Sequence, residues 1–277
     1  MAYGIKLKIG AVPYTNALPL IDGLEEKVGV ELRFSTPAQL ETDIDCDLLD
    51  AAMLPVVSLF SRPHLQMFPF CGIASEAEAG SVLFFRKDPA APIKRVAYDS
   101  GSRTSFTLLR ILLAAEGITP EWIPMAPNLN KMLQLADSAL LIGDEALKVR
   151  TDPRKAFDLV ARWKKLTQMP FVFAVWAARA DHSKRTDLMH LFTDASMQGL
   201  SRLTAIANKR SADIGVPPLD ILVYLTQNIK YRLGIIHLDA IEEFKRRCAK
   251  LPPLPDAAAD ATPPGVAAKV SGAVRMP

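Results

Sequence analysis

Cysteine and histidine are both scarce in this chain, with three Cys, at 46, 71 and 248, and four His, at 64, 182, 190 and 237, among 277 residues. The cysteines are odd in number, widely separated and without C-x-x-C spacing, so neither a disulfide framework nor a thiolate zinc site is expected. The histidines form no i, i+4 pair and no H-E-x-x-H, which leaves a metal site little to build on. Long hydrophobic runs are missing as well. The longest, such as 139–142 and 171–178, fall well short of a membrane span. Nor does charge of one sign prevail: 33 Lys and Arg stand against 30 Asp and Glu, a net +3. That balance argues against counterion-driven nucleic-acid binding and suits a small anionic ligand. The opening residues, Met1-Ala2-Tyr3-Gly4-Ile5-Lys6, lack the charged region, apolar region and cleavage site of a signal peptide, so a cytoplasmic location is expected.

What the chain does hold is apolar content of 49%, enough for one large domain or two lobes. Its pattern alternates. Strands are expected at Leu7 to Ile9, Val30 to Ser35, Leu48 to Leu54, Gln66 to Ala74 and Ser81 to Phe85, with helices between them. Asp88-Pro89-Ala90-Ala91-Pro92 interrupts this and reads as a crossing between lobes. A second α/β unit follows, with strands at Lys94 to Tyr98, Trp122 to Met125 and Ser138 to Ile142, and Phe171 to Ala177 reads as a second crossing strand. From Asp181 the pattern is helical, including Leu219 to Arg232 and Asp239 to Lys250, while the Pro- and Ala-rich residues from 251 onward cannot sustain a packed core and read as a disordered tail. The expected fold is a two-lobed α/β periplasmic-binding-protein-like (type II) fold with two interlobe crossings: residues 1–88 with 179–250 in one lobe, 89–178 in the other. A single doubly wound sheet is the alternative.

Two junctions carry the chemistry. Val12-Pro13-Tyr14-Thr15-Asn16-Ala17-Leu18-Pro19-Leu20 passes from a strand to a helix start, where free N–H groups and the helix dipole favour an anion. Asn16 at its mouth can orient a ligand but cannot act as a base; helix capping is the plainer reading of it. The loop Gly101-Ser102-Arg103-Thr104-Ser105 brings three hydroxyls, a guanidinium and helix-start amides together, all suited to a carboxylate. It fits neither G-x-x-x-x-G-K-[ST] nor G-x-G-x-x-G, which disfavours a nucleotide. Asp144 after Gly143 sits in a loop of functional type, though a cap is the simpler account. Ser81 lies in no G-x-S-x-G elbow, and Glu76 and Glu78 read as solvated loop carboxylates.

Four stretches together resemble one family: Ile9 to Leu20, Gly101 to Ser105, Leu140-Leu141-Ile142-Gly143-Asp144-Glu145-Ala146-Leu147, and Met169-Pro170-Phe171-Val172-Phe173-Ala174-Val175-Trp176-Ala177-Ala178-Arg179. They are similar to the chorismate dehydratases that open the futalosine route to menaquinone, the menaquinone biosynthesis protein A family. The resemblance implies a lyase that removes water from the dianion chorismate without a metal or organic cofactor; the balanced charge and short apolar runs already argue against nucleic-acid and membrane partners. The resemblance places Asn16 and Ser81 in the active site, where they are expected to be the catalytic pair; from their own chemistry Gly101, Ser102, Arg103, Thr104 and Ser105 are expected to anchor a substrate carboxylate, with Asp144 also binding substrate. Two positions depart from the family pattern: Thr15 replaces a usual Leu, and Pro55 stands where a small hydroxyl residue is common. A sister enzyme of the pathway uses a histidine base, which no loop here supplies. A non-catalytic carboxylate-binding protein of the same fold is the competing function.

Overall fold

The computed structural model describes residues 6–150 and 156–254. Strand β1 (Leu7–Ala11) leads into a 3-10 turn, Thr15–Ala17, and the short helix α1 (Leu18–Ile21). Then come β2 (Val30–Phe34), α2 (Pro37–Asp45) and β3 (Ala51–Pro55). The start of α2 is fixed by Pro37 in its first turn and by Thr36, whose hydroxyl accepts the Gln39 N–H at 3.3 Å. A 3-10 turn, Val56–Ser61, connects to the long strand β4 (Leu65–Ser75).

The second unit contains β5 (Val82–Arg86), β6 (Arg95–Asp99), α3 (Arg103–Ala115), β7 (Glu121–Met125), α4 (Leu129–Leu135), β8 (Ser138–Ile142), α5 (Gly143–Lys148), β9 (Ala156–Asp158) and α6 (Leu159–Thr167). The chain returns through β10 (Phe171–Arg179), then α7 (Arg185–Ser201), α8 (Leu203–Ile214) and α9 (Pro218–Val223). A π-helical turn, Tyr224–Asn228, leads to β11 (Lys230–Arg232), and α10 (Ile235–Cys248) ends the described fold. Among the described residues no helix is long and apolar enough to cross a membrane.

Two sheets form. One runs β11-β4-β10-β3-β1-β2, the other β7-β6-β8-β5-β9. In the first, β1 is parallel to β2 and β3, while β10 returns antiparallel between β3 and β4. In the second, β6 is parallel to β7 and β8, and β5 is antiparallel to β8 and β9. The apolar run of β10 is explained by this central place: a strand covered on both faces has no polar side to show. Its Trp176 is fully buried and stacks on Phe192 of α7, with ring centroids 4.1 Å apart.

Three expectations are corrected. The first crossing lies at 76–81, not at Asp88 to Pro92, because β5 already hydrogen-bonds to β8 and β9 in the second sheet. The second lies at 168–170, so β10 belongs wholly to the first sheet. The span Leu219 to Arg232 is not one helix, since Lys230 and Arg232 pair with Ala74 and Cys71 of β4. Of the tail expected to be disordered, residues 255–277 lie outside the described residues.

Two charged clusters join the units. Glu41 of α2, almost fully buried, accepts from Arg103 of α3 at 2.7 Å, from Arg62 at 3.0 Å and from the Ser58 hydroxyl at 2.6 Å. On the opposite flank Arg210 of α8 donates to Asp144 of α5 at 2.5 Å, to the Thr15 hydroxyl at 3.1 Å and to the Pro13 carbonyl at 3.0 Å. The other oxygen of Asp144 accepts the Thr15 backbone N–H at 3.2 Å.

Helix α1 lies against α7 at Gly199, where a Cβ would sit 2.1 Å from the Pro19 carbonyl oxygen. An alanine inside a helix ordinarily gains about 1 kcal/mol over glycine. Here Gly199→Ala is expected to lose about 1–3 kcal/mol instead, because the clash is with backbone. Arg210→Ala, which strands the carboxylate of Asp144, is expected to lose about 1.5–3 kcal/mol. Urea unfolding of each variant against the unsubstituted protein measures both.

Candidate active site

A cavity of about 90 Å³ lies between the two sheets. Its walls are largely apolar: Val12, Met53, Ile73, Val82, Ile142 and Phe173. Into these walls the fold sets Tyr14, Asn16, Ser81 and the loop Gly101 to Ser105, so residues far apart in the sequence converge on one small volume. Among the described residues, no Asp, Glu or His lines it.

Asn16 lies within the 3-10 turn after β1, and the residue at the cap is Tyr14. Capping is therefore not its role. Its Oδ1 is buried and has no protein partner, an unusual state for a side-chain amide and one that a ligand donor would relieve. The turn is held from behind by Thr15, wholly buried and bound to Asp144 through its N–H and to Arg210 through its hydroxyl. The hydroxyl at position 15 thus gives Arg210 an acceptor. Pro55 ends β3 and adds an apolar surface to the cavity.

Ser81 immediately precedes β5 and is held by its backbone and its side chain. Its carbonyl accepts the Gly143 N–H at 2.8 Å, and its Oγ lies 2.8 Å from the Tyr224 hydroxyl. The preceding loop is pinned by Asp158, whose carboxylate accepts the N–H groups of Ala79 at 3.2 Å and Gly80 at 2.7 Å as well as capping α6 through Val160 and Ala161. Burial pushes the Asp158 carboxyl up, against which these four N–H groups favour the charged form. Gly80 has φ of +69°, and Asn228 side-chain atoms would stand 3.2 Å from a Cβ there, so the turn into Ser81 requires glycine.

The loop Gly101 to Ser105 divides its work. Ser102, at the N-cap of α3, makes no capping hydrogen bond; its Oγ is buried and unpartnered. Thr104 is committed to the scaffold, donating to the Phe173 carbonyl at 3.1 Å across the two sheets. Arg103 lines the cavity, but its guanidinium pairs with Glu41. Glu41 also serves Arg62, which in turn pairs with Asp45 at 2.9 Å, so two guanidinium groups and two carboxylates form one chain of ion pairs. The first-turn amides of α3 have no intrahelical acceptor and add a partial positive charge.

Asp144 is placed otherwise than expected. It does not line the cavity: Arg210 and the Thr15 N–H occupy its oxygens, so it braces the Asn16 turn. Burial, with the nearby Asp99 and Asp144 carboxylates, pushes the Tyr14 phenol up to about 12, so it stays protonated at neutral pH. Asp99 stands behind the loop, its carboxylate accepting the Gly101 N–H at 2.9 Å; burial raises its pKa. Among the described residues no group of three His, Cys, Asp or Glu is disposed to hold a metal ion.

Sequence reasoning missed Tyr224, Asp158 and Arg210. Tyr224 falls in an apolar helical pattern and reads as core, which it also is, with no exposed surface. Asp158 had a local signal, an acidic residue just before the apolar positions Leu159, Val160 and Trp163. Arg210 had none, since its acceptors lie far away in the chain.

The fold is shared with solved structures of low sequence identity. The protein AF1704 from Archaeoglobus fulgidus superimposes with a TM-score of 0.68 at 13% identity, over 90% of this chain and 98% of that one. The alkanesulfonate-binding protein SsuA from Xanthomonas axonopodis pv. citri, bound to MOPS, gives 0.65 at 13% identity, over 91% and 96%. These likenesses show a periplasmic-binding-protein-like fold. In sequence, the chain is 30% identical over 245 residues to a chorismate dehydratase of Thermus thermophilus, covering 81% of this chain and 89% of the relative. It is 24% identical over 251 residues to a chorismate dehydratase of Campylobacter jejuni, covering 87% and 97%. A family described as menaquinone biosynthesis matches residues 7–250. The match spans both sheets and every residue of the cavity, and the chain belongs to this menaquinone biosynthesis family.

Proposed function

We propose that this chain is a lyase that dehydrates chorismate to 3-[(1-carboxyvinyl)oxy]benzoate, the first step of the futalosine route to menaquinone. The observation that carries the reading is a small cavity with orienting groups and no carboxylate or imidazole in its lining among the described residues. Such a site suits a substrate that needs positioning more than it needs a protein base.

Chorismate is such a substrate. Loss of the proton on the ring carbon that bears the enolpyruvyl ether, and of the hydroxyl on the adjoining carbon, turns a cyclohexadiene into a benzene ring. The free-energy drive is therefore internal, and the site has to hold the reacting groups in line. The enolpyruvyl carboxylate takes the ring proton and passes it to the departing hydroxyl, so that water leaves and the carboxylate is restored. Arg103, through the N–H groups that Glu41 does not occupy, and the first-turn amides of α3 hold a carboxylate. Ser102 Oγ, buried and unpartnered, adds a donor to the same group. Asn16 and Ser81, which line the same cavity, orient the hydroxyl and the ether.

Purified protein incubated with chorismate is expected to yield the aromatic enol ether, followed by chromatography. Tight binding of chorismate without that product would instead identify a binding protein of the same fold. Asn16→Ala is expected to lower kcat by roughly 10²-fold, in the range for removing a polar group that acts in the transition state. Full turnover in that variant would remove Asn16 from its assigned role.

A further inference from the structure

Ser81 and Asn16 reach the cavity from different sheets, yet their side chains meet at a third residue. The Tyr224 hydroxyl lies 2.8 Å from Ser81 Oγ and is wholly buried in the π-helical turn after α9. Burial pushes this phenol well above its usual value, while its hydrogen bonding with Ser81 and Asn16 opposes the rise, so it is neutral at any working pH. A neutral phenol has one proton to give.

Where that proton goes is decided by the neighbours. Asn16 Oδ1 has no hydrogen-bond partner, so it does not receive the phenolic proton. The other acceptor in reach is Ser81 Oγ. A serine hydroxyl that accepts there keeps its own proton for another partner, and the side of Ser81 left open is the cavity. Asn16 Oδ1 is then free to accept from a ligand hydroxyl.

We infer that Tyr224 is a positioning residue that fixes the hydrogen-bond polarity of the site, making Ser81 a donor and Asn16 Oδ1 an acceptor toward the substrate. This rests on the dehydratase reading above, in which the leaving group is a hydroxyl that needs a donor on its oxygen as the C–O bond breaks. Ser81 supplies that hydrogen bond without giving up its proton, which is why no protein base need regenerate it. The π-helical turn has a purpose in this arrangement: it breaks the regular helix at the point where the Tyr224 side chain must meet Ser81, and β11 then anchors the chain to β4.

The test is Tyr224→Phe, which keeps the ring and removes the hydroxyl, compared with Ser81→Ala and the double variant. Turnover of chorismate, KM and thermal midpoint are measured for each. Tyr224→Phe is expected to lower kcat roughly five- to tenfold, the worth of one hydrogen bond, with KM within about twofold. The thermal midpoint should stay within about 4 °C of the parent. In the Ser81→Ala background the same substitution should cost nothing more, because Tyr224 acts through Ser81. Unchanged kcat in Tyr224→Phe, or an equal further loss on top of Ser81→Ala, overturns the inference. A fall in kcat that comes with a raised KM and a larger loss of thermal midpoint assigns Tyr224 to packing and overturns it too. If the unsubstituted protein leaves chorismate unchanged, the dehydratase reading falls and this inference with it. Turnover by the parent alongside an unaffected Tyr224→Phe defeats the inference alone.

Discussion

Arg210 reaches from α8 to the Pro13 carbonyl, the Thr15 hydroxyl and the Asp144 carboxylate, and the place of Asn16 follows from those three contacts. A turn of three residues has too few hydrogen bonds of its own to hold a fixed geometry. Here it is clamped between α8, which packs against α9, α1 and α7, and a carboxylate carried by α5 of the second unit. The clamp is only partly exposed, with side-chain exposure of 19% for Arg210 and 13% for Asp144, so its charge–charge and hydrogen-bond energy is less screened than that of a surface pair. Because Asp144 belongs to α5, the same contact that steadies the turn sets the distance between the two walls of the cavity. The Glu41 cluster does the corresponding work on the other flank.

This construction separates charge that supports from charge that acts. Carboxylates that stand behind the cavity lining, Asp144, Asp99, Asp158 and Glu41, each accept backbone N–H groups or a guanidinium there. What faces inward is an amide, hydroxyls, a phenol and one guanidinium. The consequence is a site rich in hydrogen-bond direction and poor in groups that titrate near neutral pH. A substrate whose product is aromatic and which carries its own carboxylate is matched to such a site.

Much of the architecture was legible in the sequence. The strands β1, β6 and β8 and the helix α3 each have a clean periodicity bounded by a turn residue, and the run from Phe171 to Arg179 announces a doubly covered strand. The loops at Asn16 and at Gly101 to Ser105 could be singled out because too many polar groups follow an apolar strand. Partnership was not legible. Arg103 reads as a free guanidinium until Glu41, 62 residues earlier, is folded against it. Asp144 reads as a ligand contact until Arg210 claims it. The crossing at 76–81 was masked by the louder Pro signal at Asp88 to Pro92, because a strand's sheet is decided by its distant neighbours. Tyr224 looked like any apolar helical residue, since nothing local marks the hydroxyl that meets Ser81.

The central claim is that the proton acceptor is not a group of the protein. A protein base titrating in the working range would make turnover fall as pH drops through its pKa. The most direct measurement is kcat for chorismate as a function of pH at saturating substrate. The account predicts a flat profile from about pH 6 to about pH 9, because the substrate carboxylate is ionised throughout and Tyr14 and Tyr224 remain neutral. A limb within that range that disappears on Asp99→Asn would contradict it, since the raised pKa of Asp99 would then be that of the base.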